Sequence, residues 1–146
     1  MTTKLSEICP LKRLFARSAL MKIAKTLVRA SENSENAGDD VLYRLPGVFS
    51  LSLVYRGEVV RLIKEANAFR IMKPSEKSEV SLSAIVTDEA ALADLKFKRA
   101  TWQKVYSEGR VVFAGKIKYA ALFMRVMAEG DKASLPAKKY QELYGE

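Results

Sequence analysis

The fold is decided by residues 106–128, which read YSEGRVVFAGKIKYAALFMRVMA. Val111–Ala114 is a short β-branched and aromatic run between two glycines, which predicts one buried strand. Lys116–Ala128 contains neither Pro nor Gly and is rich in Ala, Leu and Met, which predicts a helix. Gly130 is expected to end that helix.

The predicted final helix carries more apolar surface than packing on one sheet requires. At about 100° per residue, Lys118, Arg125 and Glu129 fall on one narrow polar stripe. The apolar remainder covers about twice the arc of roughly 100° that a helix on a sheet needs. Two interpretations stay open. The helix is either a central core helix, or it covers a sheet and also lines an apolar cavity, which would suit the flexible Met124 and Met127.

The segments before this stretch predict four more strands and two helices. Alternating apolar residues or flanking turns mark strands at Val48–Tyr55, Glu58–Lys64, Phe69–Lys73 and Val80–Val86. Short turns join the first three strands into an antiparallel meander. Helices are expected at Asp88–Leu95, with Thr87 as its N-cap, at Ala100–Ser107 and, in the tail, at Pro136–Tyr144. This order predicts an α+β fold with a five-stranded, mostly antiparallel sheet covered on one face by helices.

These elements resemble the sterol carrier protein (type two) family. The family pattern is an aromatic residue, Gly-Lys/Arg, alternating apolar residues and a second Gly, followed by Ala and Leu. The matching residues here are Tyr106, Gly109, Arg110, Val111, Phe113, Gly115, Ala120, Ala121 and Leu122. Val80–Leu95 also resembles the family's strand that leads into an acidic helix start. The resemblance covers roughly residues 49–128 and implies non-catalytic lipid binding in a cavity between the sheet and the C-terminal helix.

The resemblance and the apolar faces together indicate which side chains would contact such a ligand. The expected contact residues are Leu51, Leu53, Phe69, Leu95, Phe97, Trp102, Tyr106, Phe113, Ile117, Tyr119, Phe123, Met124 and Met127. For Trp102 the alternative is an ordinary core position. The chain has Lys96-Phe97-Lys98 where family members often carry Gly-Lys, so this turn must be built differently, and Phe97 is expected to close one end of the cavity. Nothing selects a sterol over a fatty acyl chain, an isoprenoid quinone or a phospholipid.

Several classes of chemistry are disfavoured by composition. The chain contains no histidine, which removes the commonest general base and metal ligand. It also lacks CxxC, Walker and GxGxxG motifs, so we expect no catalytic residues, no metal and no cofactor. The single Cys9 excludes an internal disulfide and fits a reducing compartment. No signal peptide or membrane-spanning pattern is recognised, so the cytoplasm is the expected location.

Positive charge is concentrated near the N-terminus. Residues 1–30 hold seven Lys and Arg against one acid, and so carry +6 of the chain's net +8. Pro10 and the run Leu11–Ala30 predict a helix. Its core stripe is Phe15, Ala16, Ala19, Leu20, Ile23 and Leu27. A second apolar stripe lies among basic residues; together the expected membrane or partner contacts are Leu14, Arg17, Met21, Lys25 and Val28.

That second stripe suits transient contact with an anionic membrane surface or with a partner helix, including a homodimer. The alternative is a solvated basic face. Nucleic-acid binding is a remote alternative, because only the pI near 9.6 favours it.

The expected organisation is a single structural domain in three sequence regions. Residues 1–40 form a basic helix and an acidic linker (Ser31–Asp40), residues 41–130 form the lipid-binding region, and residues 131–146 form a tail. The expected function is non-catalytic binding or transfer of an apolar lipid. An alternative is an accessory protein that holds isoprenoid or quinone intermediates for membrane-associated biosynthetic enzymes.

Overall fold

The computed structural model describes residues 10–36, 44–65 and 68–145. Cys9 and the end of the predicted linker, residues 37–40, lie outside the described residues. In chain order the elements are helix α1 (Pro10–Asn36), strands β1 (Val48–Tyr55), β2 (Glu58–Glu65), β3 (Ala68–Ile71) and β4 (Leu82–Val86), helices α2 (Glu89–Lys96) and α3 (Trp102–Ser107), strand β5 (Val111–Gly115), and helices α4 (Ile117–Ser134) and α5 (Ala137–Tyr144).

The five strands form one mixed sheet in the order β3-β2-β1-β4-β5. The pairs β1–β2, β2–β3 and β4–β5 are antiparallel, whereas β1 and β4 are parallel. The predicted meander of the first three strands and the mostly antiparallel five-stranded sheet are therefore confirmed. The parallel pair arises because the chain leaves β3 at one edge and crosses two strands before it enters β4.

The crossover between β3 and β4 runs over the face of the sheet opposite the helices. Arg61 and Arg70 share that face, because they pair with Ser52 and Ile63 and cross-strand partners point the same way. Both hold Glu76 of the crossover. Arg61 Nη2 donates to its carbonyl oxygen at 2.7 Å, and Arg70 donates to its carboxylate at 2.9 and 2.8 Å. The Arg70 contact holds the pKa of Glu76 at about 2, well below its usual range.

The other face of the sheet is apolar and is covered by helices. Helix α1 packs against β1, β2 and β3, helix α4 packs beside β4 and β5, and the two helices contact each other. Strand alternation and register place one set of buried residues on this face: Phe49, Leu51, Leu53, Val60, Leu62, Phe69, Leu82, Ala84, Val86 and Val111. The core of the protein lies between these residues and the two long helices.

The prediction that Gly130 ends the final helix is wrong. Helix α4 continues to Ser134, and Gly130 lies inside it, buried against Ala30 of α1. A Cβ built on Gly130 would lie 2.4 Å from the Ala30 Cβ. The missing side chain therefore lets the two helices approach closely, and this packing outweighs the cost of about 1 kcal/mol for glycine in a helix interior.

The prediction of a linker from Ser31 is also wrong over residues 31–36, which extend α1. Ser31 is buried, its Oγ donates to the Val28 carbonyl at 2.7 Å, and it accepts a hydrogen bond from the Phe69 amide at 3.1 Å. The polar composition of this segment suggested a loop, but the hydroxyl instead bonds the helix to the edge strand β3.

The N-cap of α2 is Asp88 and not Thr87. The Asp88 carboxylate accepts a hydrogen bond from the Ala91 amide at 2.7 Å, and this bond lowers the pKa of Asp88. Thr87 Oγ1 instead donates to the Arg110 carbonyl at 3.1 Å, and the Thr87 amide donates to the same carbonyl at 3.0 Å. Thr87 therefore continues the β4–β5 ladder by one residue, which leaves the cap to its neighbour.

Candidate functional site

Two aromatic groups lie on the helix-covered side of the sheet. In the first, the Phe49 ring contacts Phe69 and Tyr119 edge to face, with centroid distances of 6.2 and 5.2 Å. This group joins the start of β1, the edge strand β3 and the first turn of α4. It forms an apolar wall at the end of the sheet where β1 begins.

The second aromatic group is centred on Phe123 of α4. Its ring lies 4.9 Å from Trp102 of α3 and 5.9 Å from Phe113 of β5, and Tyr106 packs against Phe113 at 5.3 Å. The short helix α3 therefore places Trp102 against α4. The Thr101 hydroxyl caps α3 by accepting a hydrogen bond from the Lys104 amide at 3.1 Å.

Most of the predicted ligand-contact residues are buried or half-buried in the helix-covered core that holds these two groups. They are Leu51, Leu53, Phe69, Leu95, Trp102, Phe113, Tyr119, Phe123, Met124 and Met127. The methionines both lie on the buried side of α4. The arrangement brings aliphatic, aromatic and thioether side chains together with few polar atoms. That composition is typical of a region that accepts apolar molecules.

Three predicted contact residues lie at the surface instead. Phe97 is 48% exposed, and the Lys96 Nζ and the Arg99 guanidinium carbon lie 5.0 and 5.1 Å from its ring centroid. Ile117 is 64% exposed, and Tyr106 is exposed at the rim of the second aromatic group. The Phe97 ring therefore lies outside the core, between the cations of Lys96 and Arg99.

The second apolar stripe of α1 is unevenly exposed. Leu14 is 63% exposed, whereas Met21 and Val28 are half-buried and pack against the core. Arg17 Nη1 lies 3.6 Å from the Glu58 carboxylate, and Lys25 is exposed. A groove of about 380 Å³ on this helix is lined by Ser18, Met21, Lys22, Lys25 and Arg29.

Lys64 is a buried cation that we did not identify from the sequence. Its side chain lies on the helix-covered face, because it pairs across the strands with Phe49 and Phe69. The residue is 2% exposed, and its Nζ donates to the Pro46 carbonyl at 3.1 Å. The alternation of Val60, Leu62 and Lys64 along β2 was the signal that could have placed it there.

A polar cluster that we also did not identify from the sequence connects the C-terminal helix α5 to helix α4. The buried Asp131 accepts a hydrogen bond from Lys98 Nζ at 2.6 Å and a short one from the Tyr144 hydroxyl. Burial and the Asp131 contact raise the pKa of Tyr144. Tyr140 stacks on Tyr144 with a centroid distance of 4.6 Å. No local sequence pattern predicts this cluster, because Lys98, Asp131 and Tyr144 are far apart in the chain.

Two further observations concern the described residues as a whole. Among the described side chains, which belong to residues 14–32, 44–65 and 68–145, no group of three or more His, Cys, Asp or Glu could hold a metal ion. In the same ranges, none of the helices has the length and apolar character needed to cross a bilayer.

Comparison with known proteins reveals similarity at the level of fold. No protein-family model matches the chain, and no curated protein matches it. A structure described as UbiJ-SCP2, a ubiquinone synthesis protein, superposes with a TM-score of 0.51 at 14% identity, covering 83% of this chain and 99% of that one. A Thermus thermophilus protein described as possibly a sterol carrier protein also gives 0.51, at 15% identity, covering 83% and 86%.

A third structure, sterol carrier protein 2 of Yarrowia lipolytica in its apo form, superposes with a TM-score of 0.48 at 13% identity and covers 74% of this chain and 88% of that one. The helix-covered five-stranded sheet and the superpositions above 0.5 agree with the pattern of glycines and apolar residues around β5. The chain therefore has the fold of the type-two sterol carrier proteins.

Proposed function

We propose that this protein binds an apolar lipid between the helix-covered face of its sheet and helices α1 and α4, without transforming it. The observation that carries the proposal is the composition of that region. Two aromatic groups, centred on Phe49 and Phe123, lie at its sides, and the flexible Met124 and Met127 face it from α4. Few polar atoms interrupt it. Such a region favours partition of a chain or ring system out of water.

The driving force is transfer of apolar surface. Each methylene moved from water into a dry apolar environment gains about 0.8 kcal/mol, so even a modest chain gains several kilocalories per mole before the costs of binding. Methionine side chains have several low-energy rotamers and can adjust to differently shaped ligands. Binding of this kind needs no general base or metal.

The proposal is tested by titrating the protein with a fluorescent fatty acid and competing with unlabelled oleic acid, cholesterol and a short-chain ubiquinone. Saturable binding of one probe per chain, displaced by at least one competitor, is expected. Absence of saturable binding of the probe and of every competitor would contradict the proposal. The competitor that displaces the probe best identifies the class of ligand.

A second candidate function is that of an accessory protein, which holds an isoprenoid or quinone intermediate for biosynthetic enzymes at a membrane. The fold similarity to UbiJ-SCP2, a ubiquinone synthesis protein, motivates this candidate, although at 14% identity the similarity concerns the fold. In the competition experiment this candidate requires that the ubiquinone displaces the probe better than oleic acid and cholesterol do. The reverse order would argue against it.

For either function, we propose that α1 contacts an anionic membrane surface transiently. The exposed Leu14 and the basic groove with Lys22, Lys25 and Arg29 provide apolar and cationic groups on one helix. The variant Leu14→Ser/Met21→Ser/Val28→Ser keeps every charge, and it should weaken co-sedimentation with anionic liposomes severalfold while leaving weak retention on DNA unchanged.

Two outcomes of that experiment would overturn the membrane proposal. Wild-type co-sedimentation of the triple variant would show that the apolar stripe does not enter a bilayer. A change from dimer to monomer in gel filtration would show instead that the stripe is a contact between two copies of the chain. Equal loss of liposome and DNA binding would indicate damage to the helix itself, and circular dichroism of the variant checks this.

A further inference from the structure

Lys64 is a lysine on an otherwise apolar surface. It lies in β2 between Phe49 on one neighbouring strand and Phe69 on the other, on the face that helices cover. Lysine is among the residues least often fully buried, unless it is paired with an acid. Here burial removes the ammonium group from water and lowers its pKa. A cost of this kind calls for a compensating partner.

The described part of the protein offers Lys64 only one such partner. An ammonium group has three donors, and the acceptor for one of them is the Pro46 carbonyl at 3.1 Å. Among the side chains that the structure describes, in residues 14–32, 44–65 and 68–145, no carboxylate forms an ion pair with Lys64. Two N–H donors and one positive charge are therefore left for another group.

The position of the ammonium group suits the polar end of a ligand. Pro46 and the following Gly47 are exposed at the end of the sheet where β1 begins. The aliphatic part of Lys64 runs along the apolar face, and its Nζ reaches the Pro46 carbonyl near that surface. A ligand held with its charged end there would extend its apolar chain past Phe49 and Tyr119, away from solvent.

We propose that Lys64 binds the carboxylate of an amphiphilic ligand, and that this protein selects long-chain carboxylic acids over neutral lipids. Two carboxylate oxygens match the two free donors, and a single cation balances a monoanion. A neutral sterol, quinone or alcohol would leave the buried charge unpaired, which penalises the wrong ligand. This inference rests on the proposed lipid binding and adds the chemistry of the head group.

The test compares two ligands with the same chain, radiolabelled oleate and radiolabelled oleyl alcohol, by equilibrium binding. Wild type should bind oleate at least about tenfold more tightly than the alcohol, since a hydrogen-bonded charge carries that much discrimination. Lys64→Met, which keeps the length and apolar stem, should lose this preference, because it binds oleate more weakly and no longer penalises oleyl alcohol with an unpaired buried charge. Lys104→Met, at an exposed lysine of α3, is the matched control and should behave as wild type.

The outcomes separate this inference from the function it rests on. Equal affinities of wild type for the two ligands, or full oleate affinity in Lys64→Met, would overturn the role of Lys64 alone. Failure of wild type to bind either ligand would overturn lipid binding and the role of Lys64 together. Retained binding of oleyl alcohol shows that the variant is folded. Lys64→Gln, polar and neutral, gives the same comparison if methionine is not accommodated.

Discussion

Replacing Gly130 with alanine is expected to destabilise the protein, although alanine is the better helix former. The added Cβ would lie 2.4 Å from the Cβ and 3.1 Å from the Cα of Ala30, whereas carbon atoms prefer separations of about 3.5–4.0 Å. Helices α1 and α4 would have to separate by roughly 1 Å at this point. Overpacking of this kind costs about 1–3 kcal/mol. Against it stands a gain of about 1 kcal/mol in helix propensity. The net loss of stability should therefore be about 1 kcal/mol, and at most about 2 kcal/mol.

The assay is a double-mutant cycle measured by denaturant unfolding. Ala30→Gly removes the atom that the new Cβ would strike, so the double variant should recover the overpacking cost, and the two substitutions should couple by about 1–3 kcal/mol. Gly47→Ala is a useful control, because a Cβ there meets nothing within 4 Å. If Gly130→Ala were more stable than wild type and did not couple to Ala30→Gly, the close helix contact would be refuted.

Three further substitutions test the site and the sheet. If Met124 faces a ligand, Met124→Trp should block binding of a fluorescent fatty acid with little loss of stability, whereas destabilisation of about 1–3 kcal/mol without a separate binding defect would indicate a filled core. Gly115 has a φ of +133°, and a Cβ added there would lie 2.7 Å from the Ser81 carbonyl oxygen. Gly115→Val should therefore lose the fold and lipid binding together. A variant as stable as wild type would contradict this prediction. The pKa of Glu76 falls from 4.5 to about 2 on folding beside Arg70, so its ionised form stabilises the protein above pH 4.5, and this contribution is lost as the pH falls through about 2. The difference in unfolding free energy between wild type and Glu76→Gln should be constant above pH 4.5 and vanish near pH 2; a difference independent of pH would refute the assignment.

The architecture was predictable because it is encoded locally. The alternation in Val48–Tyr55, the short turns after it and the glycines around Val111–Ala114 each fix a strand from neighbouring residues alone. The order of these elements then favours one arrangement of sheet and helices. Helix ends were predicted less well: Asp88 caps α2 because Thr87 pairs with β5, and that partner is distant in sequence.

The features that were missed depend on contacts between distant segments. Glycine often ends a helix, and only the close approach of Ala30 explains why Gly130 lies inside helix α4. Phe97 is expected to close one end of the cavity from its place in the Lys96-Phe97-Lys98 turn, but its ring lies at the surface between the cations of Lys96 and Arg99. Lys64 is an exception among the missed features, because the alternation along strand β2 alone was enough to predict its position among apolar side chains.

The central claim is that an apolar ligand occupies the helix-covered side of the sheet, and native mass spectrometry of the freshly purified protein tests it most directly. The account predicts a species heavier than the bare chain by one lipid, which solvent extraction removes and releases for identification. Lys64→Met should carry less of any acidic lipid than wild type does. Only the bare chain in repeated preparations, together with failure to load a fatty acid, a sterol or a quinone, would contradict the claim and leave Met124, Met127 and Phe123 as ordinary core residues.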